Sequence, residues 1–179
     1  CLADDREFGI VFMNATDIQA VGCTAKILKV IKRYDDGRLD ILTRGQKRFV
    51  IKEIYDKKAY LEARVVYFDD EKLSDIGSSQ DLADKGIALL RQFTSYPELL
   101  EETGSGEDMD LKSISFLIAG CEGFSNEEKQ RLLEMTSTSE RLEKSVESLE
   151  NMIARMKITA EINRIIGGNG NMKRFDASD

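Results

Sequence analysis

The chain has 179 residues and a mass of 20.2 kDa, enough for one domain or for two small parts sharing a core. With 41% apolar and 33% charged residues it reads as globular, and no apolar run approaches the roughly 18 residues of a membrane-spanning helix. Histidine is absent, which excludes Ser-His-Asp and Cys-His nucleophile systems, histidine-ligated metals and the usual near-neutral general base.

Charge is segregated along the chain. The formal net charge is −7, yet residues 24–58 hold 11 Lys and Arg against 5 Asp and Glu, a net of +6. Residues 69–150 hold 8 against 20, a net of −12. The sign changes near Phe68, where the hydrophobic period also changes, and this predicts a basic first part and an acidic second part. An acidic total disfavours general nucleic-acid binding, while the basic segment leaves RNA as an alternative partner. The three cysteines, Cys1, Cys23 and Cys121, form no Cys-x-x-Cys pair. No zinc site, no other cofactor and no disulfide framework is expected, and reduced thiols in a cytoplasmic protein are the plain reading.

In chain order, the first part reads as antiparallel sheet. Residues 8–15 form an apolar run (Phe8, Ile10, Val11, Phe12, Met13), and residues 21–34 mix aliphatic side chains with Lys26, Lys29 and Lys32. Asp35-Asp36-Gly37 is a hairpin signal. A third strand is predicted over 38–43, a turn at Arg44-Gly45, a fourth strand over 49–55, a turn at Lys57-Lys58 and a fifth strand over 59–68. In that last strand Leu61, Ala63, Val65 and Tyr67 share one face, predicted to be core; Tyr60, Glu62, Arg64, Val66 and Phe68 share the other. The second face has aromatics at both ends and charges between, so it is a candidate partner surface, although coverage by the helical part is weighed ahead of that role. Five short strands with tight turns imply a small barrel or a strongly curled sheet.

The second part reads as helices. One is predicted over 81–93, interrupted at Gly86 and ended by Tyr96-Pro97, followed by a Gly/Ser/acidic loop over 103–108. Residues 111–119 are apolar on most sides, a buried helix closed by Gly120. Ser125 to Glu128 fits a capping box, and Ser137-Thr138-Ser139-Glu140 repeats the signal before the longest helix, about 138–165. There Leu142, Val146, Leu149, Ile153, Met156, Ala160 and Asn163 follow 4-3 spacing. Such a seam wants one partner helix, in the same chain or in a homo-oligomer; packing within the chain is ranked first, because a seam this short is marginal for a free coiled coil. The glycine cluster at 167–171 then opens a polar, flexible tail.

Chemical motifs are mostly lacking. The glycine cluster follows a helix and lacks the Gly-Lys-Ser/Thr ending of a phosphate loop. Neither a G-x-S-x-G elbow nor an H-E-x-x-H helix occurs. The acidic pairs Asp4-Asp5, Asp35-Asp36 and Glu101-Glu102, and the triplet Asp69-Asp70-Glu71, fall in predicted turns or exposed ends where solvation explains them. Asp108-Met109-Asp110 lacks the remaining oxygen ligands of a calcium loop. Nothing marks a serine–lysine pair, and Cys23 and Cys121 read as packing residues. No catalytic, metal or cofactor residue is assigned.

Several ordered motifs carry a family resemblance. Cys1-Leu-Ala-Asp-Asp-Arg-Glu-Phe-Gly-Ile-Val-Phe resembles a helix end and following strand of the amino-terminal substrate-binding domain of Lon proteases. Val21-Gly22-Cys23-Thr24-Ala25-Lys26-Ile27 is similar to the next strand of that domain. Asp36-Gly37 followed by Gly45-Gln46-Lys47-Arg48-Phe49 resembles its "dG…G..RF" signature, and Leu132-Leu133-Glu134-Met135 with Glu140-Arg141-Leu142 its "LLE…eRL" segment. The resemblance runs from residue 1 to about 158.

It implies an α+β fold: a PUA-like antiparallel pseudo-β-barrel over 1–69, then an α-helical bundle over 70–179 with a long C-terminal helix and a tail from 167. It also implies a non-catalytic protein-binding module that recognises unfolded or tagged polypeptides or a partner protein, similar to stand-alone bacterial forms without the ATPase and Ser-Lys protease modules. The family's first strands are expected upstream of Cys1, leaving a pairing edge where they would join the barrel. Tyr60, Val66 and Phe68 are the candidate protein-binding residues. The alternatives are an RNA-binding PUA-like module or a regulatory part of an ATP-dependent proteolysis system; a peptidase in its own right is disfavoured, and no membrane partner is expected.

Overall fold

A computed structural model describes residues 6–93 and 109–168. The expected helix stop at Tyr96-Pro97, the loop over 103–108, the stretch at Cys1 and the tail from 169 lie outside the described residues. The chain divides into two compact units, Cys1–Ile76 with Phe124–Arg141, and Gly77–Gly123 with Leu142–Asp179.

In the first unit, β1 (Phe8–Asn14), β2 (Asp17–Arg33), β3 (Leu39–Tyr55) and β4 (Glu62–Phe68) form an antiparallel meander in the order β1-β2-β3-β4. The α+β class is as expected; the sheet is not closed, and β1 and β4 are its edges among the described residues. Four strands replace the predicted five because no turn forms at Arg44-Gly45. Gly45 lies inside the 17-residue β3, opposite Ala25, beside a register shift between Cys23 and Ala25. A glycine within a strand marked a bulge rather than a reversal. The Asp-Gly hairpin does form: Gly37 has φ +87° and its N–H donates to the Tyr34 carbonyl at 3.0 Å.

Register shifts recur between Ile27 and Lys29, between Val30 and Lys32, and between Ile51 and Glu53, which sharpen the twist of the long strands. Phe49 is buried at the middle of β3, paired with Gly22 on one side and Tyr67 on the other. A Cβ on Gly22 would lie 2.5 Å from the Ile10 carbonyl oxygen and 2.7 Å from Phe49 Cζ, so glycine is required for the ring to reach the backbone. The helix α3 (Asn126–Glu134) also belongs to this unit, and Gln130 Nε2 donates to the Val21 carbonyl at 3.1 Å. The capping box at its start is complete: Glu128 N donates to Ser125 Oγ at 3.2 Å and Ser125 N to Glu128 Oε2 at 2.8 Å.

The second unit contains α1 (Ile76–Phe93) from Gly77 onward, α2 (Leu111–Ala119) and most of α4 (Thr138–Gly168). Asp110 caps α2 by accepting from Ser113 N at 2.6 Å. Helix α1 starts five residues before the predicted Asp81 because Gly77-Ser78-Ser79 reads as loop, whereas Ser79 is fully buried in it. Gly86 does not interrupt the helix. A Cβ there would meet Ile118 Cδ1 at 2.4 Å and Val146 Cγ2 at 3.2 Å, so the glycine is the contact point for two other helices. Along α4, Leu142, Val146 and Leu149 are buried, Ile153 is half-buried and Met156 is exposed. The seam is thus buried over its first half. Ile158, Ile162, Ile165 and Ile166 beyond it are exposed.

Candidate functional site

The predicted binding residues fall at and before β4. Val66 and Phe68 share a face of the strand, opposite Val50 and Arg48 of β3, whereas Tyr60 lies in the bend before it, with Lys58 Nζ 5.5 Å from its ring centroid. Tyr60 and Val66 are 63% and 51% exposed. Phe68 is not available in the same way: it is half-buried, and the Arg48 guanidinium stands 4.5 Å from its ring centroid. The opposite face also departs from expectation. Leu61 and Tyr67, predicted to be core, are 61% and 56% exposed. Alternation along an edge strand shows which residues share a face, not which face is covered. The structure therefore presents apolar side chains on both faces of β4.

Charges flank this strand in matched pairs. Glu62 accepts from Lys58 Nζ at 2.8 Å, and Glu53 of β3 pairs with Arg64 at 2.9 Å. The hydrogen bond from Arg64, reinforced by the Tyr55 hydroxyl, holds the Glu53 carboxyl below its ordinary range; the bond to Glu62 pushes the Lys58 ammonium up.

Just past β4 the chain is anchored by an ionic cluster. The nearly buried Asp70 carboxylate accepts from Arg48 and Arg141, one guanidinium on each oxygen, and from the Thr138 hydroxyl. Arg48 Nη1 also donates to the carbonyls of Leu133, at 2.8 Å, and Met135. Arg141 Nη1 donates to the Met135 carbonyl at 2.8 Å. The Glu71 N–H donates to the Thr136 carbonyl at 2.8 Å. Burial pushes the Arg48 pKa down, against the opposing pull of Asp70. The carboxylate and both guanidinium groups are thus engaged with protein groups, and the cluster is a latch tying the end of β4 to the end of α3 and the first turn of α4. Solvation does not explain Asp70, contrary to the turn reading. Asp35 and Asp36 do lie at an exposed turn, while Asp4-Asp5 and Glu101-Glu102 lie outside the described residues.

Both arginines of the latch come from the quoted motifs, Arg48 from the "RF" pair and Arg141 from "eRL". A family model for the substrate-binding domain of ATP-dependent protease La (Lon) matches residues 1–151. The chain belongs to the Lon substrate-binding domain family. Among curated Lon relatives, the Lon protease of Azospirillum brasilense is 28% identical over 164 residues, covering 83% of this chain and 19% of the relative. Lon protease 2 of Myxococcus xanthus is 26% identical over 179 residues, covering 92% and 21%. The chain thus spans about a fifth of the length of these Lon relatives. The solved N-terminal domain of Mycobacterium avium complex Lon protease matches the fold with a TM-score of 0.63 at 21% identity, over 80% of this chain and 77% of that one. A Lon N-terminal domain protein from Xanthomonas campestris matches with a TM-score of 0.56 at 20% identity, over 80% and 76%.

No group of three or more Cys, Asp or Glu side chains that could hold a metal ion occurs among the described residues, and no described helix is long and apolar enough to cross a membrane. The half-buried Cys23 thiol is pushed up by burial.

Proposed function

We propose that this chain is a non-catalytic, cytoplasmic protein-binding module that takes up unfolded or tagged polypeptides or a partner protein through the exposed apolar side chains around β4. The family match supports a recognition role within ATP-dependent proteolysis, before unfolding and cleavage. The observation that carries the reading is the exposure of Tyr60 and Leu61 just before β4, and of Val66 and Tyr67 on it, next to a strand end that is latched. Exposed apolar side chains beside charged ones are the usual form of an interaction surface.

The test is fluorescence anisotropy of fluorescein-labelled β-casein, a chain without a stable fold. Tyr60→Ser/Val66→Ser/Tyr67→Ser is expected to weaken binding at least tenfold with an unchanged thermal melt. Unchanged binding would remove β4 from the site. Phe68→Ser belongs in a separate arm, because loss of its contact with Arg48 acts on the fold.

RNA binding is the second reading, supported by Lys32 and Arg38 at 4.5 and 5.1 Å from the Tyr34 ring and by the net +6 of residues 24–58. A protein neutralising six or more phosphates loses about a thousandfold or more in affinity between 50 and 200 mM salt. The polypeptide reading expects casein affinity to change far less. Self-association through α4, if it occurs, draws on Met156 and the isoleucines beyond it, since Leu142, Val146 and Leu149 are already buried.

A further inference from the structure

The β2–β3 hairpin gathers its cations on one face. Positions 26, 29 and 32 of β2 are lysines. Side chains of an unbroken strand alternate, which would set Lys29 on the face opposite to Lys26 and Lys32. The register shifts between Ile27 and Lys29 and between Val30 and Lys32 each insert one residue, Leu28 and Ile31, and each insertion reverses the alternation. The three lysines thus fall opposite alternate residues of β3: Lys26 opposite Arg44, Lys29 opposite Leu42 and Lys32 opposite Asp40. Directly opposed residues share a face. On this one Lys29, Lys32, Asp40, Leu42 and Arg44 are exposed and Lys26 is half-buried, whereas Ile27, Val30, Leu39, Ile41 and Thr43 on the other are all half-buried.

The basic face does not depend on what pairs with the edges of the hairpin. A strand added at an edge takes up main-chain groups and leaves the side chains of a face in place. Lys29, Lys32 and Arg44 make no ion pair among the described residues, and burying unpaired cations costs far more than leaving them in water.

Spacing and neighbours identify what the face fits. The lysines step along β3 by two residues, about 7 Å each time. Alternate side chains of an extended polypeptide keep the same step of about 7 Å, so carboxylates at every second residue match the row. Leu28, Ile31 and Leu42, among the cations, are 46%, 63% and 49% exposed. Aliphatic side chains offer no plane on which a base stacks, but they pack against the side-chain methylenes of a polypeptide. Asp40, the one carboxylate of the row, accepts from the Tyr34 hydroxyl at 2.7 Å and directs acidic groups toward Lys29, Lys26 and Arg44.

We propose that this face of the β2–β3 hairpin binds an extended acidic polypeptide with carboxylates at alternate positions. This rests on the protein-binding reading and adds to β4 a second surface with its own client chemistry.

The probe is a fluorescein-labelled ten-residue peptide of four glutamates and six serines, with the glutamates at alternate positions, added to the full chain. A second peptide of the same composition has glutamate at every third position, which puts successive carboxylates on opposite sides of an extended chain. The first is expected to bind at least tenfold more tightly than the second. Lys29→Gln/Lys32→Gln/Arg44→Gln is expected to abolish that difference with an unchanged thermal melt, and Tyr60→Ser/Val66→Ser/Tyr67→Ser to leave it intact. Equal binding of the two peptides, or binding that the glutamine variant leaves unchanged, overturns the proposal. If neither peptide binds while labelled casein does, the proposal falls and the β4 reading stands; if the first peptide binds while casein does not, β4 is removed and the hairpin face stands. A labelled uridine decamer that binds more tightly than either peptide, and only without the glutamine substitutions, assigns the face to RNA. Self-association in sedimentation that the glutamine variant abolishes and the peptide does not compete assigns it to a second copy. Either result overturns the proposal.

Discussion

Asp70 is the residue on which the sheet unit turns. Two guanidinium groups and a hydroxyl converge on it, and both arginines are buried. Removing one partner of a buried ionic cluster leaves uncompensated charge and costs about 3–5 kcal/mol. Asp70→Asn is therefore expected to lower the unfolding free energy from urea titration by an amount in that range, whereas replacing Arg48, Asp70 and Arg141 together by Met, Leu and Met is expected to cost less than the single change. A loss under about 1 kcal/mol for Asp70→Asn would show that the latch contributes little. None of this was legible locally: Asp70 sits in an acidic triplet that reads as a solvated turn, and its partners lie 22 and 71 residues away. Glu53 offers a test of opposite kind. Its carboxyl is held low by Arg64 first and Tyr55 second, so its folded pKa lies below its unfolded value. Its stabilising contribution is full above the unfolded pKa and is lost as pH falls through the folded pKa. A carboxyl-carbon NMR titration should place the Glu53 inflection below that of an unstructured glutamate, and Arg64→Gln should move it back up.

At the scale of elements, the helix caps were readable and the strand faces were not. Ser125 with Glu128, and Ser137 accepting from Glu140 N at 3.2 Å, form as expected because a cap closes within three residues. The turn at Arg44-Gly45 and the buried face of β4 were misread because a bulge and a cover both depend on neighbouring elements. Gly86 is the sharpest case. Mid-helix glycine reads as a break, yet α1 passes through it and its missing Cβ makes room for Ile118. Gly86→Ala gains about 1 kcal/mol of helix propensity but overpacks that contact, which typically costs 1–3 kcal/mol. The variant is expected to be net destabilised in thermal melts, and adding Ile118→Val, which deletes Cδ1, should restore most of the loss. Additive effects of the two changes would mean that the contact does not limit packing.

For the whole molecule, charge is distributed by sequence segment more than by total. The sum is −7 with a pI near 4.9, while the long strands are basic. Net charge falls to zero near that pI, so light scattering of the pure protein is expected to peak near pH 5 and to fall on either side. Scattering that rises steadily toward pH 7 would point instead to association through apolar surface.

Composition, charge segregation, cap spacing and the ordered motifs determined the family, the α+β class and the order of strands before helices, because each depends on residues close in sequence. Tertiary structure alone decided that the sheet is not closed among the described residues, that Arg48 and Arg141 meet on Asp70, that α4 buries only its first half, and that Tyr67 rather than Phe68 faces water. The physical reason is the same in each case. Burial is a property of what covers a side chain, and the covering groups come from elsewhere in the chain.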